Sequence, residues 1–374
     1  MLIERLKPIA WTKKPRLISL FSGCGGMDLP FHKAGFEVVW AIDSNKYACQ
    51  TFSRNIADVI VNDNIENIEI AQVPDADICI GGFPCQDFSM IWKRPGLEGT
   101  RGNLYTYFLD FVNQKKPKAF VAENVKGLLS ANNYQAIKQI ISDFESIAPG
   151  YLVKPKLYKF ADYGVPQFRE RVLLVGIRMD TEFNFVHPQP EYGQNRKPYR
   201  TAAEALKGVE KVRDNNEYHK IHPKTRKRLK EIKPGGNFTD IPKNSDLYVK
   251  GLISHVYRRL DPNQPSSTII AGGGGGTWGY HYEEPRALTN RERARLQTFP
   301  DEFIFEGSIT EVRRQIGNAV PPEGIAAVVD ALIPLFKGGY GKVDLYEMSK
   351  KLQGMSIQER LKWAELEVSE QSLQ

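Results

Sequence analysis

Short β-branched runs and amphipathic stretches alternate through the first half of this chain, and no other feature restricts its fold so strongly. The runs at 17–21, 37–42, 59–61, 76–80, 119–122 and 172–177 predict strands, and the stretches at 28–34, 46–54, 104–112 and 134–147 predict helices between and after them. Such alternation predicts an α/β fold: a doubly wound, mostly parallel sheet with helices on both faces. Past Arg178 the pattern stops. Residues 188–265 are rich in Pro, Asn and Lys and show no strand–helix alternation. Helical patterning returns at 288–297 and at 324–336, where Pro321-Pro322 sets a helix start. The tail from 343 onward is charged and amphipathic, and is expected to pack on the surface or fray.

The 374 residues are 41% hydrophobic and 25% charged, which provides for a sizeable core. No apolar run reaches the roughly 18 residues of a membrane span. The N-terminus carries Glu4, Arg5 and Lys7 in place of the apolar centre of a signal peptide, so neither a membrane protein nor a secreted one is expected. Cys24, Cys49, Cys79 and Cys85 form no C-x-x-C pair and no Cys/His ligand spacing, which argues against a metal site and a disulfide scaffold. They are expected as reduced thiols in a cytoplasm, any one of them able to serve as a nucleophile. A net charge of +7 favours an anionic partner. Between Gln194 and Lys233, 13 Lys or Arg stand against 5 Asp or Glu, so this stretch alone is more positive than the whole chain. The same run also fits a solvated basic helix.

Five short motifs carry chemistry. Phe21-Ser22-Gly23-Cys24-Gly25-Gly26 lies between a strand and a helix, where glycines let the backbone approach a ligand and the helix start offers free N–H groups. Asp43 ends the next strand, 17 residues after Gly26, where a carboxylate can take two ribose hydroxyls. The spacing G-x-G-G differs from the dinucleotide G-x-G-x-x-G, so no phosphate-bearing cofactor is required; a tight turn with an N-cap Asp is the structural alternative. The run from Gly81 to Ser89 puts Cys85 just beyond the carboxyl end of a strand, where open α/β sheets bind ligands. Cys79, in mid-strand, reads as a small core hydrophobe. Glu123-Asn124-Val125 ends another strand, Gln167-Phe168-Arg169-Glu170-Arg171 precedes the last one, and Gln315 to Pro322 stands far away in sequence. Each of these alone is compatible with a structural role.

Taken in order, the motifs resemble those of the DNA (cytosine-5)-methyltransferase family, of the bacterial restriction–modification type. P-C-Q, E-N-V, Q-x-R-x-R, the stretch from Arg286 to Pro300 and G-N-A-V-P-P carry the resemblance, which covers 17–178 and 284–336. It implies methyl transfer from S-adenosylmethionine to C5 of cytosine in a specific double-stranded DNA sequence, with the target base flipped out. Cys85 matches the nucleophile whose thiolate adds to C6 and makes C5 reactive. Glu123 matches the acid beside N3, whose pKa burial in a base pocket would raise. Arg171, and with it Arg169, would hold Glu123 and the nucleotide. Phe21, Gly23, Gly25 and Gly26 would line the cofactor pocket, Asp43 would hold the ribose, and Asp63 and Asn64 would meet the adenine. Asn64 stands where the family more often has an apolar residue, so only its backbone contact carries over. Pro84, Asn318 and Ala319 would close the methionine end, and Gln86 and Ser89 would lie near the phosphate backbone or the flipped nucleotide.

The same resemblance divides the chain into a catalytic and cofactor-binding domain (1–187), a target-recognition domain (188–284), a return to the catalytic domain (285–340) and a C-terminal tail (341–374). In the recognition part, Arg226, Lys227 and Arg228 are candidates for phosphate contacts, and Arg258 and Arg259 for base edges, with a phosphate contact as their alternative. The glycine run 272–276 either lets Trp278, Tyr280 or His281 approach the duplex or is a plain flexible linker. A monomer is expected, with any cognate endonuclease acting without direct contact. An RNA cytosine-5 methyltransferase on the same motifs and a non-catalytic DNA-binding relative are the alternatives. The unmatched stretch 188–284 speaks against the first, and intact Cys85, Glu123 and Arg171 against the second. A nicotinamide dehydrogenase would share the sheet and the glycine turn but has no need of P-C-Q or E-N-V.

Overall fold

The computed structural model describes residues 8–83, 104–249, 256–272 and 278–370. Pro84, Cys85, Gln86, Ser89 and residues 273–276 of the glycine run lie outside the described residues. The chain begins with β1 (Arg16–Leu20), α1 (Asp28–Lys33), β2 (Glu37–Asp43), α2 (Lys46–Asn55), β3 (Ile60–Asn62) and β4 (Ile78–Gly82). Next come α3 (Leu104–Lys115), β5 (Ala119–Val125), α4 (Gly127–Ser130), α5 (Gln135–Glu145), β6 (Tyr151–Lys159), β7 (Gln167–Phe168) and β8 (Glu170–Arg178). Short elements follow: α6 (Ala202–Leu206), α7 (Pro223–Glu231), β9 (Arg258–Arg259), β10 (Ser266–Ser267) and β11 (Trp278–Tyr280). The chain closes with α8 (Asn290–Leu296), α9 (Ile309–Asn318), α10 (Pro322–Lys337), α11 (Leu345–Gln353) and α12 (Ile357–Glu370).

Internal contacts group these elements into two compact units. One holds the described parts of Arg5–Lys159, Glu170–Gln189 and Ile325–Gln374; the other holds Phe160–Arg169 and Pro190–Gly324. The contacts thus place residues 285–324 with the irregular middle of the chain and the C-terminal tail with the sheet.

The sheet unit has seven strands in the order β3-β2-β1-β4-β5-β8-β6. Strands β1 to β5 run parallel, and only β8 is reversed, antiparallel to both β5 and β6. The sheet is therefore mostly parallel, as the alternation implies. Its central strands are largely apolar because helices cover both faces: Leu17, Ile18, Ile78, Ile80, Phe120 and Val121 are fully buried, with Ser19 a buried polar residue among them. Phe108, Phe120 and Phe144 pack edge and face against one another inside it, with Phe120 and Phe144 centroids 4.4 Å apart.

Strand β6 is absent from the sequence reading, and the reason is local. Its sequence, Tyr-Leu-Val-Lys-Pro-Lys-Leu-Tyr-Lys, carries a proline and alternating lysines, which read as a break. Proline is tolerated because β6 lies at the sheet edge and pairs only with β8. Lys154 and Lys156 are nevertheless buried, and α12 packs on this strand. The described part of the tail packs with the sheet: its two helices join the sheet unit.

The second unit is built from short elements around Leu229, Ile232, Phe238, Ile241, Tyr257 and Tyr280. Strand β7 pairs in parallel with β10, and β9 with β11. Helix α8 starts with a capping box between Thr289 and Glu292 and is buried almost throughout. Its Arg291 is fully buried because its guanidinium donates to the carbonyls of Pro300 and Phe303.

Candidate active site

In the sheet unit the glycine turn leaves β1 through Phe21, which has φ 53°, and continues through Gly23 at φ 54° and Gly25 at φ 91°. These are left-handed values that glycine adopts without cost. The turn is tied to the end of β2. Gly23 N donates to Asp43 Oδ2 at 2.8 Å, Asn45 N donates to Asp43 Oδ1 at 2.8 Å, and Ser22 Oγ reaches the carbonyls of Ser19 and Ile42. Burial pushes the Asp43 carboxyl up, and the two backbone N–H groups pull it back. Each of its oxygens keeps a free lone pair for a further donor. Asp63 folds onto its own loop, with Oδ1 accepting from Asn64 N and from Asn67 Nδ2, both at 2.7 Å. The Asn64 side chain is exposed. A hydroxyl-bearing ligand such as an adenosyl group fits this set: a half-buried carboxylate with spare acceptors stands against a turn whose backbone is open to close approach.

The carboxyl ends of β4 and β5 lie side by side, with Gly82 paired to Glu123. A Cβ on Gly82 would stand 2.8 Å from Glu123 Oε2, so glycine there leaves space for the carboxylate. From β8, Arg171 places Nε 2.9 Å from Glu123 Oε1, and the two side chains are only 16% and 12% exposed. Asn124 has a role that the sequence reading missed. It is buried, and its Nδ2 donates to Phe83 O at 2.9 Å while its Oδ1 accepts from Val125 N. It fixes the last described residue before Pro84-Cys85. The signal was available: an asparagine inside a buried strand must find partners.

The three described thiols are all buried. Burial pushes Cys24 and Cys79 far above the ordinary thiol range and Cys49 up to about 11. Burial thus favours the protonated thiol in all three.

In the second unit Arg169 is 2% exposed and donates to the carbonyls of Ile269 at 3.0 Å and Gly317 at 3.3 Å. Its geometry is that of a brace on α9. Asn318 ends α9 and is exposed, and Ala319 follows in an extended conformation. Arg259 departs from the expected base contact. It is buried, and its guanidinium donates to the carbonyls of Leu229, Ile232, His281 and Tyr282, which makes it a strut of this unit. Tyr280 and His281 are likewise buried. Arg228 is half tied down, donating to Leu247 O and to the Tyr257 hydroxyl. Arg226 and Lys227 are exposed on α7, and Arg258 is half-buried in β9.

Comparison with known proteins shows the family. Residues 15–334 match the family described as C-5 cytosine-specific DNA methylase. The Type II methyltransferase M.NgoFVII of Neisseria gonorrhoeae is 60% identical over 356 residues, covering 94% of this chain and 95% of that one. M.BbvI of Brevibacillus brevis, also a Type II methyltransferase, is 43% identical over 340 residues, covering 85% of this chain and 90% of its own length. Among solved structures, the S. pombe Dnmt2 methyltransferase superposes with a TM-score of 0.61 at 17% identity, covering 86% of this chain and 99% of that one.

Proposed function

Because the chain belongs to the C-5 cytosine-specific DNA methylase family, we propose how its own residues divide that family's reaction. The protein is a DNA (cytosine-5-)-methyltransferase that acts on double-stranded DNA and uses S-adenosylmethionine. Cys85 is the nucleophile: its thiolate adds to C6 of a flipped-out cytosine, forming an S–C6 bond and raising electron density at C5. Glu123, held by Arg171, donates a proton to N3 as that bond forms. S-adenosylmethionine, when bound, supplies the electrophilic methyl group that C5 takes up. A solvent base then takes the C5 proton, the electrons of that bond restore the C5–C6 double bond and expel the Cys85 thiolate, and N3 gives its proton back to Glu123, which releases 5-methylcytosine. Asp43 holds the ribose hydroxyls, the turn from Phe21 to Gly26 lines the adenosyl group with Asp63 and the Asn64 backbone, and Pro84, Asn318 and Ala319 take the methionine end.

The observation that supports these roles is the ion pair of Glu123 and Arg171 at the carboxyl end of β5 and the facing start of β8. Beside it, β4 runs directly into Pro84-Cys85. The burial of the other three thiols leaves Cys85 as the nucleophile that fits. Target choice belongs to 188–284, the enzyme works as a monomer, and any cognate endonuclease acts on the same DNA without touching it. A duplex with 5-fluorocytosine at the target tests the chemistry, because fluorine cannot leave as the proton does. The wild type should be trapped covalently and Cys85→Ala should not. Trapping that survives in Cys85→Ala and disappears in Cys24→Ala or Cys79→Ala would reassign the nucleophile. Bisulfite sequencing of the product gives the site.

A further inference from the structure

Two buried glutamines in the second unit form a network with no loose end. Gln297, just past α8, is fully buried; its Nε2 donates to Ile316 O at 2.6 Å and to Ala319 O at 3.2 Å. Its Oε1 accepts from Gln167 Nε2 at 2.8 Å. Gln167, also fully buried, gives its second N–H to Leu296 O at 3.3 Å and accepts Ile269 N at 2.8 Å. Both amides use both N–H groups, so neither can flip without losing bonds.

The carbonyls of Ile316 and Gly317 sit in the last turn of α9, where helix geometry leaves acceptors without intrahelical partners. Here side chains supply them: Gln297 on Ile316 and Arg169 on Gly317. On its other flank the turn is closed by backbone. A Cβ on Gly317 would lie 2.2 Å from Ala271 N and 2.3 Å from the Ile270 carbonyl carbon, so no side chain fits there. Held from both flanks, this turn carries one exposed residue, Asn318.

We propose that Gln297, together with Gln167, is a positioning residue that fixes the turn Ile316–Ala319 and thereby sets the affinity for S-adenosylmethionine. The proposal rests on the reading that Asn318 and Ala319 meet the cofactor. Both glutamines are buried and spend their amides on groups of this unit, so they act through the turn. Removing the Gln297 amide lets the turn relax, which weakens cofactor binding and leaves the chemical step unchanged once the cofactor is saturating.

The test uses the full chain with Gln297→Met and, separately, Gln167→Met, which conserve volume and remove the amide. Expected is a rise in KM for S-adenosylmethionine of about tenfold, the loss typical of one or two buried hydrogen bonds. At saturation kcat should stay within about twofold, with a cooperative melt and unchanged DNA affinity without cofactor. A folded variant with unchanged KM, or one in which kcat falls as much as kcat/KM, overturns the proposal. So does loss of a cooperative melt in both variants, because the pair then serves folding alone. Hydrogen exchange on the wild type separates the proposal from the reading beneath it. If peptides covering 316–320 gain no protection on adding S-adenosylmethionine, the assignment of Asn318 and Ala319 fails. If they gain protection and the Met variants bind normally, only the positioning role fails.

Discussion

Asp28 opens α1 directly after the glycine turn, and its carboxyl is fully buried. Burial pushes its pKa up to about 7, against the Ser19 hydroxyl and its own backbone N–H, which pull the other way. An acid raised in the folded state binds more protons there than in the unfolded chain, so stability falls as pH rises from about 4 to about 7. The slope is about 1.4 kcal/mol per pH unit within that window. Asp28→Asn keeps the shape and removes the titration. Its melting temperature should therefore gain on the wild type from pH 5 to pH 7 and hold a constant lead above. A gap that stays flat across this range would mean the carboxyl is not the buried acid described here. Nothing in the sequence distinguishes Asp28 from an ordinary helix-capping aspartate. Asp43 and Glu123, in contrast, were legible because strand periodicity fixes which residues end a strand. Arg259 was not, since a guanidinium on a base edge and one bound to four carbonyls have the same sequence.

The same limit governs elements. Strands β1 to β5 announce themselves by apolar runs, whereas β6 hides behind Pro155 and its lysines, one of which, Lys154, meets its carboxylate partner 213 residues downstream. Lys154 is 1% exposed; its Nζ meets both Glu367 oxygens at 2.9–3.0 Å, the Phe185 carbonyl at 2.7 Å and the Asn184 side chain at 2.8 Å, and lies 4.6 Å from the Trp363 ring. Burial lowers its pKa to about 8 in spite of Glu367. A second buried pair, Arg360 with Glu145, ties the same helix to α5 at 2.6 Å. Helix α12 is thus anchored both on the edge strand β6 and on α5. Breaking one buried pair strands a charge, which costs about 3–5 kcal/mol, while replacing both partners with apolar residues is far cheaper. Glu367→Leu should therefore lower stability by about that amount, and adding Lys154→Met should restore much of it. Urea melts of the two single variants and the double variant check this. Additive losses would show that the pair contributes nothing beyond packing.

For the molecule as a whole, the exposed charges of the basic stretch 194–233 are the ones expected to meet a phosphate backbone. Arg226 and Lys227 project from α7 into solvent, whereas Arg228 donates to Leu247 O at 2.9 Å and to the Tyr257 hydroxyl at 2.7 Å, with its guanidinium 5.2 Å from that ring. The sequence presents the three as equals, because charge is legible in it and side-chain direction in an irregular unit is not. Their roles should separate in measurement. Every phosphate that the protein ceases to neutralise takes about 0.9 off the slope of log affinity against log salt. Replacing Arg226 and Lys227 with Gln should therefore flatten the slope by about 2, weaken binding to cognate and unrelated duplexes alike, and leave the melting temperature nearly unchanged. Arg228→Gln should do the opposite: it removes two hydrogen bonds and a cation–π interaction inside the small unit, lowering stability by about 1–3 kcal/mol with little change in salt slope. Fluorescence anisotropy titrations across roughly the 50 to 200 mM salt range, where such slopes are steep, paired with thermal melts, read both quantities on the same proteins. An unchanged slope in the Arg226/Lys227 variant would make α7 a solvated helix face and move the phosphate contacts elsewhere in the chain.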